Sequence, residues 1–206
     1  MFGKGTIDRV GELLIEHGFK HPFMVYGRGS IKKNGIYDRI KAQTSSVLCG
    51  EFGGIEANPD CDTCVKCAAA ATAAKADVLL AVGGGSVGDA CKFISAVMNW
   101  NKTNDPYDIV AKYPTKGLEA PLKIPLFLVL TLPATGTEMN DGAVISRRRT
   151  NDKFHFNHPS AFPVVSVIDP EVTYSLPLKQ IINGLADSFV HCAEQYTSNF
   201  EQGLVQ

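Results

Sequence analysis

The chain has 206 residues, 45% of them hydrophobic and 20% charged, with a formal net charge of −1. A chain of this length and composition can bury a sizeable core, and its near-zero charge argues against nucleic acid or an anionic membrane surface as a partner. The apolar runs have strand length and are broken by Pro or Gly, and the first residues lack the pattern of a signal peptide, so we expect a cytoplasmic protein without a membrane span.

Strand and helix patterns alternate through the first half of the chain. The predicted helices span residues 6–18, 35–43 and 61–76, and the predicted strands span residues 22–26, 46–52 and 78–82. A further helical pattern begins near residue 90. This alternation predicts an α/β fold with a Rossmann-like, doubly wound and mostly parallel sheet.

The second half begins with a predicted polar loop, residues 101–110. The most apolar strand pattern, residues 124–130, should lie inside the sheet. A hairpin is predicted for residues 143–157, and its basic run Arg147–Arg149 is interpreted as a solvated strand edge. Residues 164–168 form another predicted strand and residues 170–177 an extended stretch, and one amphipathic helix begins near Gln180.

Three glycines interrupt the chain after the strand 78–82, where a helix pattern follows. Glycines there allow a bound group to approach the backbone, and the start of a helix favours an anion. Ser86 and Asp89 have the spacing of a capping box. The alternative is a well-capped turn that binds nothing.

Three such turns, residues 27–30, 83–86 and 131–137, follow predicted parallel strands and should meet at one edge of the sheet. Together they suggest a dinucleotide. Glycines 83, 85 and 88 match the G-x-G-x-x-G spacing, but the match is weak because it lies late in the chain and no acid follows at the expected strand end.

The first of these turns carries Arg28, Ser30, Lys32 and Lys33, and no acid occurs before Asp38. Basic and hydroxyl groups accept the 2′-phosphate of NADP, whereas an acid would favour NAD. The sequence therefore favours NADP(H). A basic surface turn without a ligand is the alternative.

The run Cys61–Cys67 (CDTCVKC) resembles the start of an iron–sulfur motif, but the fourth cysteine is missing. Reduced thiols, buried or partly exposed at the head of an alanine-rich helix, are the preferred interpretation.

Asp187 and His191 stand four residues apart and therefore share a helix face, where both can reach one divalent ion. Two ligands are too few for a closed site, and a plain surface helix is the alternative. His155 and His158 are interpreted as hairpin or loop residues.

Seven motifs occur in a fixed order along almost the whole chain: FGKGT, YGRGSIKKNG, FGGIEANP, GGGSVGDACK, TLPATGTEMNDGAVIS, VIDP and NGLADSFVHCAEQYTS. In this order they resemble the iron-containing alcohol dehydrogenases, in particular the branch of NADPH-dependent butanol dehydrogenases and aldehyde reductases. The resemblance implies a dehydroquinate-synthase-like fold, with a dinucleotide-binding domain at residues 1–178 and the first helix of a truncated helical, metal-binding domain at residues 179–206.

The resemblance also implies roles for individual residues. Asp89 would face the nicotinamide and take part in catalysis, and Asp187 and His191 would be the first two metal ligands. The other residues implied to contact the cofactor are Gly29, Ser30, Asn58, Gly84, Gly85, Ser86, Thr131, Thr135, Thr137 and Lys153.

The implied reaction is hydride transfer between NADP(H) and an alcohol/aldehyde pair, with a small alcohol or aldehyde as substrate. The metal would be iron, with zinc or nickel as alternatives. Because the family's other two metal-binding histidines lie in the helical domain, the chain is interpreted as a fragment. A nucleotide-binding domain without turnover and a glycerol-type dehydrogenase of the same fold are the alternatives, and a homodimer is possible.

Overall fold

The computed structural model describes residues 1–100, 105–112 and 122–198. Its strands are β1 (Pro22–Gly27), β2 (Gly50–Ile55), β3 (Val78–Gly84), β4 (Leu126–Leu132), β5 (Gly142–Arg147), β6 (Asp152–Asn157) and β7 (Val165–Val167). Its α-helices are α1 (Val10–Glu16), α2 (Ser30–Lys33), α3 (Ile36–Thr44), α4 (Cys61–Ala73), α5 (Gly85–Met98), α6 (Asp108–Ala111) and α7 (Leu178–Thr197). Short 3-10 helices span Thr6–Arg9, Pro159–Ala161 and Pro170–Thr173.

Five parallel strands form the main sheet in the order β2-β1-β3-β4-β7, and β5 and β6 form a separate antiparallel hairpin. The mostly parallel, Rossmann-like sheet with flanking helices is confirmed. The strand predicted at residues 124–130 is confirmed as an interior strand, because β4 has neighbours on both sides.

Two apolar layers enclose the sheet, because successive strand residues point to opposite faces. On β3, Leu79 and Ala81 contribute to the layer that contains α4, α5 and the hairpin. Leu80 and Val82 contribute to the opposite layer, which contains α1 and α3. All four residues are 0% exposed, so the middle strand is buried on both faces.

The strand predicted at residues 46–52 instead spans Gly50–Ile55, so the predicted start is four residues too early and the predicted end is three residues too early. Its glycines look like chain breakers in the sequence, but they make room for aromatic rings of β1. A Cβ at Gly50 would lie 2.8 Å from Cε2 of Phe23, and one at Gly53 would lie 2.5 Å from Cε2 of Tyr26. Packing of the rings therefore decides the position of this strand.

The predicted polar loop at residues 101–110 is also wrong in part. Residues 101–104 lie outside the described part of the chain, but α6 follows, with Ile109 and Val110 buried against the core. The Asp105 carboxylate accepts a hydrogen bond from the Tyr107 amide at 3.1 Å and so supports the turn before the helix.

The extended stretch predicted at residues 170–177 begins as a 3-10 helix, Pro170–Thr173. The reason is Asp169, which is 1% exposed. One of its carboxylate oxygens accepts from the Glu171 amide at 3.0 Å and the other from the Ile7 amide at 3.3 Å. This buried carboxylate ties the turn to the start of the chain.

The basic run Arg147–Arg149 is not simply a solvated strand edge. Arg147 is 7% exposed, pairs with Asp105, and its guanidinium carbon lies 4.1 Å from the centre of the Tyr107 ring. Arg148 and Arg149 are exposed, as predicted. Arg147 therefore anchors the hairpin to α6 instead of facing solvent.

The three cysteines at the head of α4 are free and buried in the core. Burial raises the pKa of the Cys61 thiol to about 11 and that of the Cys67 thiol to about 12. These thiols pack as small apolar groups.

By its internal contacts the chain divides into two compact units, Met1–Thr173 and Tyr174–Gln206. The second unit contains α7, in which no residue is buried. Whether α7 opens a helical metal-binding domain, with the boundary at residue 178, stays a prediction. Among the described residues, no helix has both the length and the apolar character that crossing a membrane would need.

Candidate functional site

The carboxyl ends of β1, β3 and β4 lie at one edge of the sheet, because these strands are parallel neighbours. The segments that follow these strands carry seven of the predicted cofactor residues: Gly29, Ser30, Gly85, Ser86, Asp89, Thr135 and Thr137. At β3 there is no separate turn: the strand ends at Gly84 and α5 begins at Gly85.

A cleft of about 330 Å³ opens at this edge. Six of its lining residues were predicted from the sequence to contact the cofactor: Asn58, Gly85, Ser86, Asp89, Thr135 and Lys153. The other six lining residues were not predicted: Pro59, Asn140, Gly142, Ala143, Val144 and His155. The structure thus brings together residues from α5, the hairpin and the loops after β2 and β4.

The glycines of α5 allow the loop after β4 to lie directly on the helix. A Cβ at Gly85 would collide with the Thr135 side chain. A Cβ at Gly88 would lie 2.8 Å from Cγ2 of Thr137. Close packing of loop and helix therefore explains these glycines, whether or not a ligand also approaches them.

Asp89 points toward this loop and the hairpin, so the predicted capping box with Ser86 is wrong. One carboxylate oxygen accepts from the Thr137 hydroxyl at 2.9 Å, and the other accepts from the Val144 amide at 3.1 Å. Burial raises the pKa of Asp89, and these two hydrogen bonds oppose that effect. At the helix start, Gly84 is the capping residue and no side chain caps the helix.

Lys153 and Asn58 connect the hairpin to the loop after β2. The Lys153 ammonium donates to the Asn58 side-chain oxygen at 2.9 Å. Asn58 has a positive φ of 53°, a conformation that asparagine adopts more easily than most residues. Both side chains are exposed and line the cleft, so the ammonium can reach a ligand there.

The other predicted cofactor residues lie elsewhere. Gly84 ends β3 without lining the cleft, and Thr131 and Thr137 are buried at 9% and 1% exposure. Gly29 lines a second hollow of about 420 Å³ at the ends of β1 and β2, and Ser30 follows it at the start of α2. The structure therefore has two hollows where the sequence predicts one extended site.

Basic side chains line this second hollow, which contains Arg28 and Lys32. The Lys32 ammonium lies 4.9 Å from the ring centre of Tyr26 and 4.5 Å from that of Tyr37. The nearby carboxylate of Glu51 is already engaged: it accepts from both tyrosine hydroxyls and pairs with Lys41 at 2.7 Å. Among the described residues, no acidic side chain lines the hollow.

Asp187 and His191 are adjacent on α7, with 3.6 Å between Oδ2 of the aspartate and Nε2 of the histidine. Oxygen and nitrogen donors on one helix face fit part of a divalent metal site. In the described ranges no group of three or more His, Cys, Asp or Glu side chains could hold a metal ion. The pair therefore fits two ligands of a larger set.

Sequence reasoning missed Lys92, Asn140 and His155. Lys92 is 0% exposed and its ammonium donates to the Asn140 carbonyl at 2.8 Å, to the Asn140 side-chain oxygen at 2.8 Å and to the Gly142 carbonyl at 2.9 Å. Burial lowers the pKa of Lys92 to about 8. A usable signal was present in the sequence, because Lys92 falls on the apolar stripe of its helix.

His155 lies in the hairpin, as predicted, on its second strand β6. It stands two residues after Lys153 on β6, so both side chains lie on the same face of the hairpin. Gly142 makes room for its ring, because a Cβ there would lie 2.8 Å from the histidine Nε2. The strand alternation could have identified His155 as lining the same site as Lys153.

Comparison with known proteins gives a consistent result. Residues 1–170 match the family model described as iron-containing alcohol dehydrogenase. NADP-dependent alcohol dehydrogenase 3 of Entamoeba histolytica is 44% identical over 200 residues, which are 97% of this chain and 51% of that protein. NADPH-dependent aldehyde reductase YqhD of Escherichia coli is 44% identical over 206 residues, which are 100% of this chain and 52% of that protein.

A solved structure is similar over the same extent. The crystal structure of NADH-dependent butanol dehydrogenase A from Thermotoga maritima matches with a TM-score of 0.86 at 36% identity, covering 96% of this chain and 48% of the other. The chain spans about half the length of the curated relatives it matches.

Proposed function

The chain belongs to the iron-containing alcohol dehydrogenase family, and on that premise we propose that it forms the cofactor-binding part of an NADP(H)-dependent alcohol dehydrogenase or aldehyde reductase. The reaction is hydride transfer between the nicotinamide and the carbon of an alcohol/aldehyde pair. The substrate is a small alcohol or aldehyde.

The observation that carries the proposal is the cleft at the carboxyl edge of the sheet. Side chains from separate segments meet there, including Ser86, Asp89 and Lys153. Open α/β sheets bind their ligands at this edge. The agreement between this cleft and the family's motif positions supports a dinucleotide as the ligand.

The cofactor pyrophosphate is proposed to lie at the start of α5. The first backbone N–H groups of a helix have no partner within the helix and, with the helix dipole, favour an anion. Gly85 and Ser86 provide these groups in the cleft, and Lys153 adds a positive charge on the opposite wall. In this arrangement Asn58 holds the lysine and lies near the adenosine.

The hollow at Gly29 and Ser30 is proposed to take the 2′-phosphate of NADP. Arg28 and Lys32 line it, and the nearby acid, Glu51, is neutralised by Lys41 and by two tyrosine hydroxyls. No free carboxylate is therefore directed at the ribose, which supports NADP(H) over NAD(H). The names of the two 44% identical relatives point the same way.

Asp187 and His191 are proposed to hold the divalent ion, together with ligands that the described residues do not supply. When bound, such an ion supplies Lewis-acid polarisation of a carbonyl oxygen, and the nicotinamide supplies the hydride. Iron fits the family description, and zinc and nickel accept the same oxygen and nitrogen donors.

The chain's own contribution is binding and orientation. Ser86 and Lys153 hold the anionic middle of the cofactor, while Asp89 fixes the loop after β4 and the first strand of the hairpin through its two hydrogen bonds. The buried side of the cleft, with Thr137 and Lys92, keeps water from that wall. Thr131 and Thr137 act from beneath the surface of the loop, and Thr135 lies at the surface itself.

Calorimetric titration of the 206-residue chain with NADPH and NADH tests the proposal. We expect NADPH to bind roughly tenfold tighter or better, because hydrogen bonds from Arg28 and Lys32 to its 2′-phosphate would be charge-assisted. Lys153→Met should raise the dissociation constant for NADPH roughly tenfold relative to the wild type. Lys179→Met, which changes an exposed lysine of α7, is the matched control. Equal affinity of all three proteins would contradict the assignment.

The basis of cofactor selection can be tested separately. Lys32→Met should lower the ratio of the NADH dissociation constant to the NADPH dissociation constant. Most of this change should come from a higher dissociation constant for NADPH. Lys33→Met changes a neighbouring lysine that does not line the hollow and serves as the control. A ratio that stays constant in Lys32→Met would remove this hollow from the 2′-phosphate assignment.

A second candidate for these 206 residues is a nucleotide-binding module without turnover. It is favoured by the metal donors, since the described residues provide only the pair Asp187 and His191 on α7. Binding of NADPH without aldehyde-dependent oxidation, in the presence of added Fe²⁺ or Zn²⁺, would select this candidate. Turnover under those conditions would exclude it.

A further inference from the structure

Asp89 and Lys92 lie three residues apart on α5 and therefore on the same face of the helix. Both side chains point to the segment Thr137–Val144, which runs from the loop after β4 into the first strand of the hairpin. Asn140, Gly142, Ala143 and Val144 of this segment line the cleft. One face of α5 thus contacts the segment Thr137–Val144, which forms one wall of the cleft.

Within the described ranges, the carboxylate of Asp89 accepts hydrogen bonds only from donors of this segment. It accepts from the Thr137 hydroxyl at 2.9 Å and from the Val144 amide at 3.1 Å. These two donors stand at the ends of the segment, so the aspartate fixes both ends at once.

In the part of the chain that the structure describes, the ammonium of Lys92 donates only to acceptors of the same segment. Its three contacts, to the Asn140 carbonyl, the Asn140 side-chain oxygen and the Gly142 carbonyl, are 2.8, 2.8 and 2.9 Å long. Three acceptors match the three N–H groups of an ammonium. Because Lys92 is 0% exposed, water does not replace any of them.

The Asn140 side chain connects these hydrogen bonds to the rest of the wall. Its side-chain oxygen also accepts from the Gly142 amide at 3.1 Å, and its side-chain nitrogen donates to the Thr135 carbonyl at 3.3 Å. Thr135 is the residue that packs on Gly85 at the start of α5. The orientation of the Asn140 amide is therefore set by Lys92 and transmitted to Thr135.

We propose that Asp89 and Lys92 act together as a charge-complementary clamp that holds the Thr137–Val144 wall in its cofactor-binding conformation before the cofactor arrives. The proposal rests on the proposed function, because it takes the side of the cleft formed by this wall as the site of the nicotinamide half of NADP(H). It makes Lys92 a positioning residue, and it explains Asp89 by its bonds to protein groups.

A clamp of this kind affects affinity through the population of the closed wall. If the wall opens when the clamp is removed, the apparent dissociation constant rises by the same factor by which the closed fraction falls. Opening of the wall also exposes its amides to hydrogen exchange. A side chain with a merely structural role would not link these two quantities.

The test uses Lys92→Met, which keeps an unbranched side chain one atom shorter than lysine and removes all three donors. Hydrogen exchange of residues 137–144 is measured in the free protein, and NADPH binding is measured by calorimetry. We expect both exchange and the dissociation constant for NADPH to rise by roughly 10- to 100-fold, and by similar factors.

Two controls separate the clamp from general damage. Adenosine 2′,5′-bisphosphate occupies only the adenosine half of the proposed site, so its affinity should stay within about twofold of that of the wild type. Lys179→Met should change neither exchange nor binding.

Faster exchange with unchanged NADPH affinity would overturn the proposal, as would equal losses for NADPH and adenosine 2′,5′-bisphosphate. Failure of the wild type to bind either ligand would contradict the proposed function instead, and unchanged exchange in Lys92→Met would then refute the clamp on its own. If Lys92→Met does not fold, Thr137→Val removes one donor to Asp89 and keeps the side-chain shape, and it should raise both quantities together by a smaller factor.

Discussion

The two helices that carry the proposed site residues, α5 and α7, differ in what surrounds them. Both are amphipathic, but α5 buries ten of its residues and α7 buries none. Asp89 and Lys92 on α5 bond to a loop and a hairpin that come from distant parts of the sequence. Asp187 and His191 on α7 pair only with each other among the interactions of the described residues.

This difference separates the two halves of the proposed enzyme. The cleft is assembled within residues 1–173, where Asp89, Lys92 and Lys153 have hydrogen-bond partners that fix their geometry. The proposed metal pair, Asp187 and His191, has oxygen and nitrogen donors on one helix face, but the described residues supply no further ligand beside it. Residue type and spacing alone therefore identify the pair on α7, whereas packing fixes the side-chain geometry of the cleft around α5.

The reactivity of the thiols provides the largest expected contrast between the two helices. Cys91 on α5 is buried, which raises the pKa of its thiol well above 9.0, whereas Cys192 on α7 is exposed. We expect 5,5′-dithiobis(2-nitrobenzoate) to label Cys192 ~1,000-fold faster or more, because Cys91 must first be exposed by unfolding. Mass spectrometry of the labelled peptides measures both rates, with Cys192→Ser as the control. Similar rates would mean that α5 is far less well packed than the structure indicates.

Alkaline pH should act on α5 through Lys92. Its pKa is about 8 in the folded protein against 10.5 for a free lysine, so the unfolded chain binds more protons between these values. The free energy of unfolding of the wild type should therefore rise relative to Lys92→Met from about pH 8 to about pH 10.5, by up to about 3 kcal/mol. Urea unfolding across this range measures the difference.

The comparison with Lys92→Met is needed because the buried thiols act in the opposite direction. Their raised pKa values remove stability as the pH rises above 9.0, and this effect cancels between the two proteins. Lys179→Met on α7 should show no such pH-dependent difference. A flat difference between the wild type and Lys92→Met would contradict the burial of a charged lysine.

The same glycine substitution can be made in both helices. Gly85→Ala brings a methyl group against the Thr135 side chain, and we expect a loss of roughly 1–3 kcal/mol of stability together with weaker NADPH binding. Gly184→Ala meets nothing within 4 Å and should stabilise α7 by up to about 1 kcal/mol. Urea unfolding and NADPH titration measure both variants. If both substitutions changed the free energy of unfolding in the same direction, the contrast between the packed helix α5 and the exposed helix α7 would be wrong.

The smallest effect is expected for Asp187→Ala and His191→Ala. NADPH binding to this chain should stay within about twofold of the wild type with either change or with a chelator. The exposed pair contributes roughly 0.5 kcal/mol or less to its helix. A clear loss of NADPH affinity would show that the metal pair and the cofactor cleft are coupled within this chain.

The sequence alone determined the fold class. Periodicity of 2 and 3.6 residues follows directly from backbone geometry, so the alternation of strands and helices was visible without a structure. The turns around Gly29, Gly85 and Thr135 could also be assigned to one edge of the sheet, because parallel strands end on the same side, whereas Lys153 was implied only by the family resemblance. Six of the predicted cofactor residues line the cleft there.

Only the tertiary structure decided which partner each charged residue meets. The sequence does not distinguish a solvated arginine from Arg147, which is buried by Asp105 and Tyr107. Nor does it show that Lys92 is buried against Asn140 and Gly142, nearly fifty residues away. Local sequence specifies backbone conformation, whereas the protonation and orientation of a side chain depend on groups that only the fold brings near. For this reason the clamp on α5 became visible only in three dimensions.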